Sequence, residues 1–166
     1  MAEIKKEMVE QLNLQLNREL YSAYLYLSMA AYFETLNLKG FAHWLKVQYQ
    51  EELGHAMKFF EHIIERNAEV KLDKIDAPKT SWNSPEEAFN DVYEHEKKIT
   101  NYIHSILELA KNIKDYATEN FLQWFVAEQV EEEAQSLEIL QKLKACKNSV
   151  GGLFALDHQL GKRGKE

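Results

Sequence analysis

Glu52 and His55 stand three residues apart in the stretch Gln50-Glu51-Glu52-Leu53-Gly54-His55, inside a long helical pattern. Residues three apart on an α-helix share a face, with Cβ atoms about 5–6 Å apart. A carboxylate oxygen and an imidazole nitrogen at that spacing can reach one metal ion together. Apolar positions counted in steps of four and three run Leu45, Tyr49, Glu52, Ala56, Phe59, Ile63. Glu52 therefore falls on the seam that faces the core. A bare carboxylate there is costly to bury, so it needs a proton, a partner or a metal. One Glu-x-x-His pair also arises by chance on solvated faces. The test is whether other helices supply matching carboxylates.

The elements that must position this pair are all helical. With six Gly and two Pro, and an abundance of Leu, Ala, Glu and Lys, the chain reads as all-α. A first helix is expected from Glu3 or Ile4 to Thr35, broken by Asn37 and Gly40, and a second from Lys39 to Arg66, with Asn67 as a left-handed stop. Residues Ala68 to Asn83 then form an irregular stretch containing Pro78 and Trp82. That is longer than a tight antiparallel turn needs. A crossover along a bundle would use the length and leave the second and third helices parallel. Ser84 as N-cap, Pro85 at the first position and Glu87 closing a capping box start the third helix. Asn112 to Asp115 permit an antiparallel return, with Asp115 capping a fourth helix from Tyr116 to Lys147. A short fifth helix is expected from Val150 to Leu160, ending at Gly161, and the tail from Lys162 onward as mobile. The architecture expected is one domain over 1–166, a four-helix bundle over about 4–147 followed by a short helix over about 150–160.

Each long helix carries a Glu on a seam that is otherwise largely apolar. The first reads Leu12, Leu16, Glu19, Ala23, Tyr26, Ala30, Phe33, and the third Phe89, Val92, Glu96, Ile99, Ile103, Ile106, Ala110. The fourth reads Leu122, Phe125, Gln129, Glu132, Ser136, Ile139, Leu143. Glu19, Glu52, Glu96 and Glu132 lie near the middles of their helices, where facing helices bring them to one level. Four carboxylates cannot all stay ionised in a dry core without cations. Oxygen-rich ligation with one imidazole suits iron or manganese better than tetrahedral zinc. Bundles of this kind hold metal pairs with two single Glu and two Glu-x-x-His pairs. Here the fourth helix offers Glu132-x-x-Gln135, without a second His.

Bulk properties narrow the field. No run approaches the ~18 apolar residues of a membrane span. The amino terminus carries Glu3, Lys5, Lys6 and Glu7 and no apolar core, so no signal peptide is expected. Cys146 has no partner in the chain, which fits a reducing cytoplasm and excludes thiolate metal sites. A net charge of −7 argues against nucleic acid as a partner and suits attraction of cations. His43, His62, His95, His104 and His158 have no partners at ligand spacing and read as surface or capping residues.

The departure from symmetry, with its flanking residues, carries a family resemblance. Asn17-Arg18-Glu19-Leu20-Tyr21-Ser22-Ala23, Gln50 to Ala56, Tyr93-Glu94-His95-Glu96, Asn120 to Trp124 and Glu128 to Glu133 closely resemble non-haem prokaryotic ferritins over nearly the whole chain. The resemblance implies a ferroxidase centre with Glu19, Glu52 and His55 at one iron and Glu52, Glu96 and Glu132 at the other, Glu52 bridging. Gln129 would lie beside the second iron. A third iron would take Glu51, Glu128, Glu131 and Glu132. Glu128, Glu131 and Glu132 do share one helix face, and Glu51 precedes Glu52 by about 100°. A solvated acidic face is the plainer reading of Glu51, Glu128 and Glu131. Tyr26 reads either as a core tyrosine with a satisfied hydroxyl or as a hydrogen-bond donor near the irons.

In bacterioferritins a Met follows the bridging Glu and binds haem. Leu53 stands there in this chain, so no haem is expected. The resemblance implies a cytoplasmic iron store, a cage of twenty-four subunits that oxidises Fe(II) with O₂ or H₂O₂, with no nucleic-acid or membrane partner. A soluble di-iron oxidase or peroxide-detoxifying protein without a storage role, and a metal-free helical interaction module, are the alternatives.

Overall fold

The computed structural model describes residues 3–165; Met1, Ala2 and Glu166 of the expected domain lie outside the described residues. Five helices follow in order: α1 Lys6–Thr35, α2 Lys39–Glu65, α3 Pro85–Asn112, α4 Tyr116–Ala145 and α5 Val150–Leu160. The termini of α1, α2 and α4 fall one to three residues inside the expected limits, as fraying ends do. Asn37 and Lys114 take left-handed backbone angles, φ 56° and 60°, and turn α1 into α2 and α3 into α4. Asn67, at φ 55°, stops α2 as expected.

The crossover is fastened to α1 by side chains on one stripe. Asn13 donates to Glu69 O and accepts from Lys71 N, Asn17 donates to Lys74 O, and Ser28 donates to Lys79 O. The strap thus climbs α1 from near its start to near its end, and α3 begins beside the start of α2 and runs parallel to it. Ser84 accepts from Glu87 N at 3.1 Å, closing half of the expected capping box. The reciprocal half differs: the Glu87 carboxylate takes Asn83 N and Lys79 Nζ rather than the N-cap amide.

Seam residues bury in two apolar plugs. One gathers Phe33, Phe41, Trp44 and Phe89 with Leu140, Leu143 and α5's Leu156 and Leu160; Phe33 stacks on Phe41 with ring centroids 4.8 Å apart. The other gathers Met8, Leu12, Phe59, Ile63, Ile103 and Phe125 at the far end. Each fully buried large side chain contributes about 1.5–3 kcal/mol. Between the plugs lies a layer of buried polar groups. Tyr49 was expected on the α2 seam but is only half-buried, and Gln48 beside it takes the interior place.

The fifth helix docks on the start of α2. Leu38, the N-cap of α2, has no side chain able to cap it. Asp157 of α5 supplies the missing acceptor, taking Phe41 N at 2.9 Å, where a carboxylate also meets the positive helix end. Gly40 makes this approach possible, because a Cβ there would lie 1.6 Å from Asp157 O. The tail departs from expectation: Arg163 is anchored, with its backbone carbonyl 2.8 Å from His43 Nε2.

Gly40→Ala is therefore expected to lift α5 from α2 and lower stability by about 1–3 kcal/mol, the usual range for overpacking. Gly54, mid-helix with open space around its Cα, is the control. Gly54→Ala is expected to stabilise by up to about 1 kcal/mol. Thermal melting of both variants checks the pair, and equal shifts would remove the close-approach explanation.

Candidate metal centre

Four helices each bring one carboxylate into the polar layer: Glu19 from α1, Glu52 from α2, Glu96 from α3 and Glu132 from α4. All four are buried, none more than 4% exposed. His55 joins them, with Nδ1 3.1 Å from Glu52 Oε2 and 3.9 Å from Glu19 Oε2. Its ring is set edge-on to Trp124 and Phe125, which fixes the plane in which the nitrogens point. Potential ligand atoms of Glu19, Glu52 and His55 lie within 4.8 Å of one another, and so do those of Glu52, Glu96 and Glu132. Glu52 belongs to both triads.

Three carboxamides orient the carboxylates. Gln15 donates to Glu19 Oε1 at 2.8 Å, and Arg18 donates to Gln15 Oε1, which turns the amide the right way round. Gln48 donates to Glu132 Oε2 at 2.6 Å and to Glu52 Oε1 at 3.3 Å. Gln129 donates to Glu96 Oε2 at 3.1 Å and reaches Thr100 as well. The Tyr26 hydroxyl donates to Glu96 Oε1. Of the two readings of Tyr26, its buried hydroxyl against a candidate ligand favours the donor role.

Gln15 and Gln48 were not singled out from the sequence, yet a signal was there. Each stands four residues before the seam Glu of its own helix, in the repeated pattern Gln-x-x-x-Glu.

Two acceptors of the layer are left over, one of them Gln48 Oε1. The other, Glu19 Oε2, is buried with no hydrogen-bond partner. Burial pushes the Glu19 carboxyl well above its ordinary range, and the Glu52 charge adds to the push. Burial first, then the charges of Glu96 and Glu132, raises Glu52 similarly, and burial raises Glu96. An unpartnered carboxylate oxygen inside an acidic, oxygen-rich cluster is what a bound cation would satisfy. The donor set fits iron, a hard cation when ferric, with one imidazole at one end only.

The third set is placed differently from the pair. Glu128 Oε1 lies 4.0 Å from His55 Nε2, and Glu128, Glu132 and His55 offer ligand atoms within 4.8 Å of one another. Glu131 is exposed, and Glu51 is turned to Arg163, whose Nη2 donates to Glu51 Oε2 at 2.7 Å. Neither belongs to such a group of three among the described residues.

Two histidines also need correction. His62 is buried, not on the surface: Nε2 lies 3.1 Å from Thr118 Oγ1, and the ring stacks on Phe121. Burial, with Arg66 close by, holds its imidazole down at about 4. His95 is half-buried, with Nε2 2.7 Å from Ser22 Oγ.

Fold and cluster together define a class: helical bundles whose core carries a carboxylate cluster suited to a pair of metal ions. A ferritin-like domain is matched over residues 9–146. The bacterial non-heme ferritin of Bacteroides fragilis is 43% identical over 160 residues, covering 96% of this chain and 99% of its own. That of Escherichia coli O157:H7 is 36% identical over 157 residues, 95% of each chain. Among solved structures, the open pore ferritin of the hyperthermophilic archaeon Archaeoglobus fulgidus superimposes with a TM-score of 0.97 at 53% identity, over 98% of this chain and 99% of that one. The chain belongs to the ferritin family.

Burial, then the charge of Glu96, pushes the Glu132 carboxyl from an ordinary 4.5 up to about 8. In the metal-free fold this group prefers its proton. Its contribution to stability is complete below about pH 4.5 and is lost as pH rises through about 8. Glu132→Gln keeps the shape and the Gln48 contact but removes the charge. Metal-free Glu132→Gln is therefore expected to melt above the parent at pH 8, by on the order of a few kcal/mol, and level with it near pH 4.5. Melting curves across that range measure the gap, and a gap independent of pH would contradict the assignment.

Proposed function

We propose that the chain oxidises Fe(II) to Fe(III) at the paired sites and retains the ferric product inside a hollow assembly of its own copies. Glu19, Glu52 and His55 hold one iron; Glu52, Glu96 and Glu132 hold the other. Sharing of Glu52 between the two triads is the observation that carries this reading, because it sets two ions close enough to be oxidised together. Two Fe(II) lose one electron each; O₂ taking both electrons with two protons leaves H₂O₂, and H₂O₂ taking them leaves water.

The chain's residues act by charge and position. Carboxylates are hard donors and favour the ferric over the ferrous ion, so oxidation is downhill once both sites fill. Gln15, Gln48, Gln129 and Tyr26 hold the carboxylate oxygens in place through hydrogen bonds, so little reorganisation is needed when a cation arrives. Only one imidazole serves the pair. The second site is all carboxylate, and Glu128, grouped with Glu132, begins a route onward. Glu51, Glu131 and Glu132 complete that onward site when iron is abundant.

Membership of the ferritin family supports storage within a cage, and the similarity over nearly the full length of these relatives supports assembly from copies of this chain. Among the described residues no helix is long and apolar enough to cross a membrane, and the lone Cys146 fits a cytoplasmic setting.

Glu52→Ala removes the shared ligand. It is expected to reduce the initial rate of Fe(II) oxidation by at least about 100-fold, the scale of losing a directly positioned group, with helical circular dichroism unchanged. Stopped-flow absorbance after mixing with Fe(II) and O₂ reads the rate, and a parent-like rate would refute the site. Native mass and iron per subunit test storage separately: iron that stops accumulating at two or three ions per subunit would leave an oxidase without a store.

A further inference from the structure

Arg163 lies past the end of α5, yet it is one of the most tightly held cations on the molecule. Its side chain is 17% exposed. Nη2 donates to Glu51 Oε2 at 2.7 Å, Nη1 donates to Trp44 O at 3.1 Å, and the guanidinium carbon sits 4.4 Å from the centre of the Trp44 ring. With the bond from His43 to its backbone carbonyl, four contacts converge on this residue. All come from α2, at positions 43, 44 and 51. Trp44 and Glu51 are seven residues apart, two helical turns, so the planar fork is stretched along one face.

Glu51 is also close enough to the inner acidic groups to affect them. Its charge contributes, behind burial and other groups, to raising the Glu128 and Glu132 carboxyls. Glu51 thus stands between two claims, the guanidinium on one side and an acidic cluster short of cations on the other. A guanidinium stays charged at every working pH. A competing cation can undo this pairing.

We propose that Arg163 is a tethered counter-cation for Glu51, and that a third metal ion, taken up beside the paired sites through Glu51, displaces it and frees the end of the C-terminal segment. The proposal rests on the metal-binding reading above. It makes the third ion the last to bind, because that ion must first break the Arg163 contact. It also converts the filling of the inner site into a change at the tail, about two helical turns away along α2.

A redox-silent ion separates binding from oxidation. Zn(II) titrated into the assembled, metal-free protein by calorimetry is expected to show two tight ions per subunit and a weaker third. Arg163→Ala should tighten the third about fivefold, the scale of a partly exposed charge-assisted pair, and leave the first two unchanged. Arg163→Lys keeps a pairing charge and should stay near the parent. In a Glu51→Gln background, Arg163→Ala should have no effect on Zn(II). Amide hydrogen exchange at residues 161–165 gives a second readout. It should quicken in the parent only on the third equivalent, and in Arg163→Ala it should be fast without metal. An unchanged or weaker third ion in Arg163→Ala overturns the proposal, as does a tail whose exchange ignores the third equivalent. Loss of the two tight ions in the parent overturns the paired-site reading itself, a distinct result.

Discussion

Four carboxylates confined to one dry layer are the constraint on which the rest of this structure depends. Charges held about 5 Å apart repel by roughly 3 kcal/mol per pair even at an effective dielectric of 20. Desolvation adds to that, so without metal the layer strains the fold or, as at Glu132, takes up a proton. The two apolar plugs above and below it hold the helices in register against this strain. The polar layer could not sit at the end of the bundle, where water would screen it and the ions it gathers would be lost. It sits between Phe33, Phe41 and Phe89 on one side and Phe59, Ile63 and Phe125 on the other.

Within the layer, the division of labour follows from what each donor can do. A carboxamide can donate to a carboxylate without carrying charge, so it orients the oxygen and leaves the negative charge available to a metal. A lysine or arginine in its place would neutralise the site and compete with the ion. Gln15, Gln48 and Gln129 fill these positions, and Arg18 is kept one step removed, bonded to Gln15 and resting on the Tyr102 ring. The imidazole of His55 sits at one end only, held between aromatic neighbours with Glu52 at Nδ1 and Glu128 4.0 Å from Nε2. The centre is lopsided by construction.

Much of this was legible in the sequence because an α-helix repeats. The seams of α1, α3 and α4 follow the alternation of four and three without error, so their Glu residues announced themselves as exceptions. Tyr49 was misplaced because an aromatic residue outweighs a glutamine in any apolar count, although Gln48 is the one inside. Gln15 was passed over for the same reason, lying beside Leu16. Histidine is ambiguous on polarity alone: His62 is buried because Thr118 and Phe121 happen to face it from α4, a tertiary fact. The tail was illegible in a deeper sense. Lys162 to Lys165 carry no periodicity, and only the docking of α5 through Asp157 and Gly40 brings Arg163 over Trp44.

Pairing of charges sets the centre apart from every other acidic group in the core. Asp115 is part-buried, and Arg66 donates to it at 2.7 Å. Burial pushes its carboxyl up, but the bonds from Arg66 and Thr118 more than reverse that and hold it below its ordinary value. Glu34 has Lys39 and Lys46, Glu87 has Lys79, and Glu51 has Arg163. Glu19, Glu52, Glu96 and Glu132 have amides, a hydroxyl and one imidazole among them, and no lysine or arginine. Asp115, Glu34, Glu87 and Glu51 are each matched with a resident cation, whereas these four are left unmatched where solvent cannot help. A proton or a metal ion can supply the missing positive charge, and the place the fold offers a metal ion is the space between Glu52 and the three carboxylates that face it.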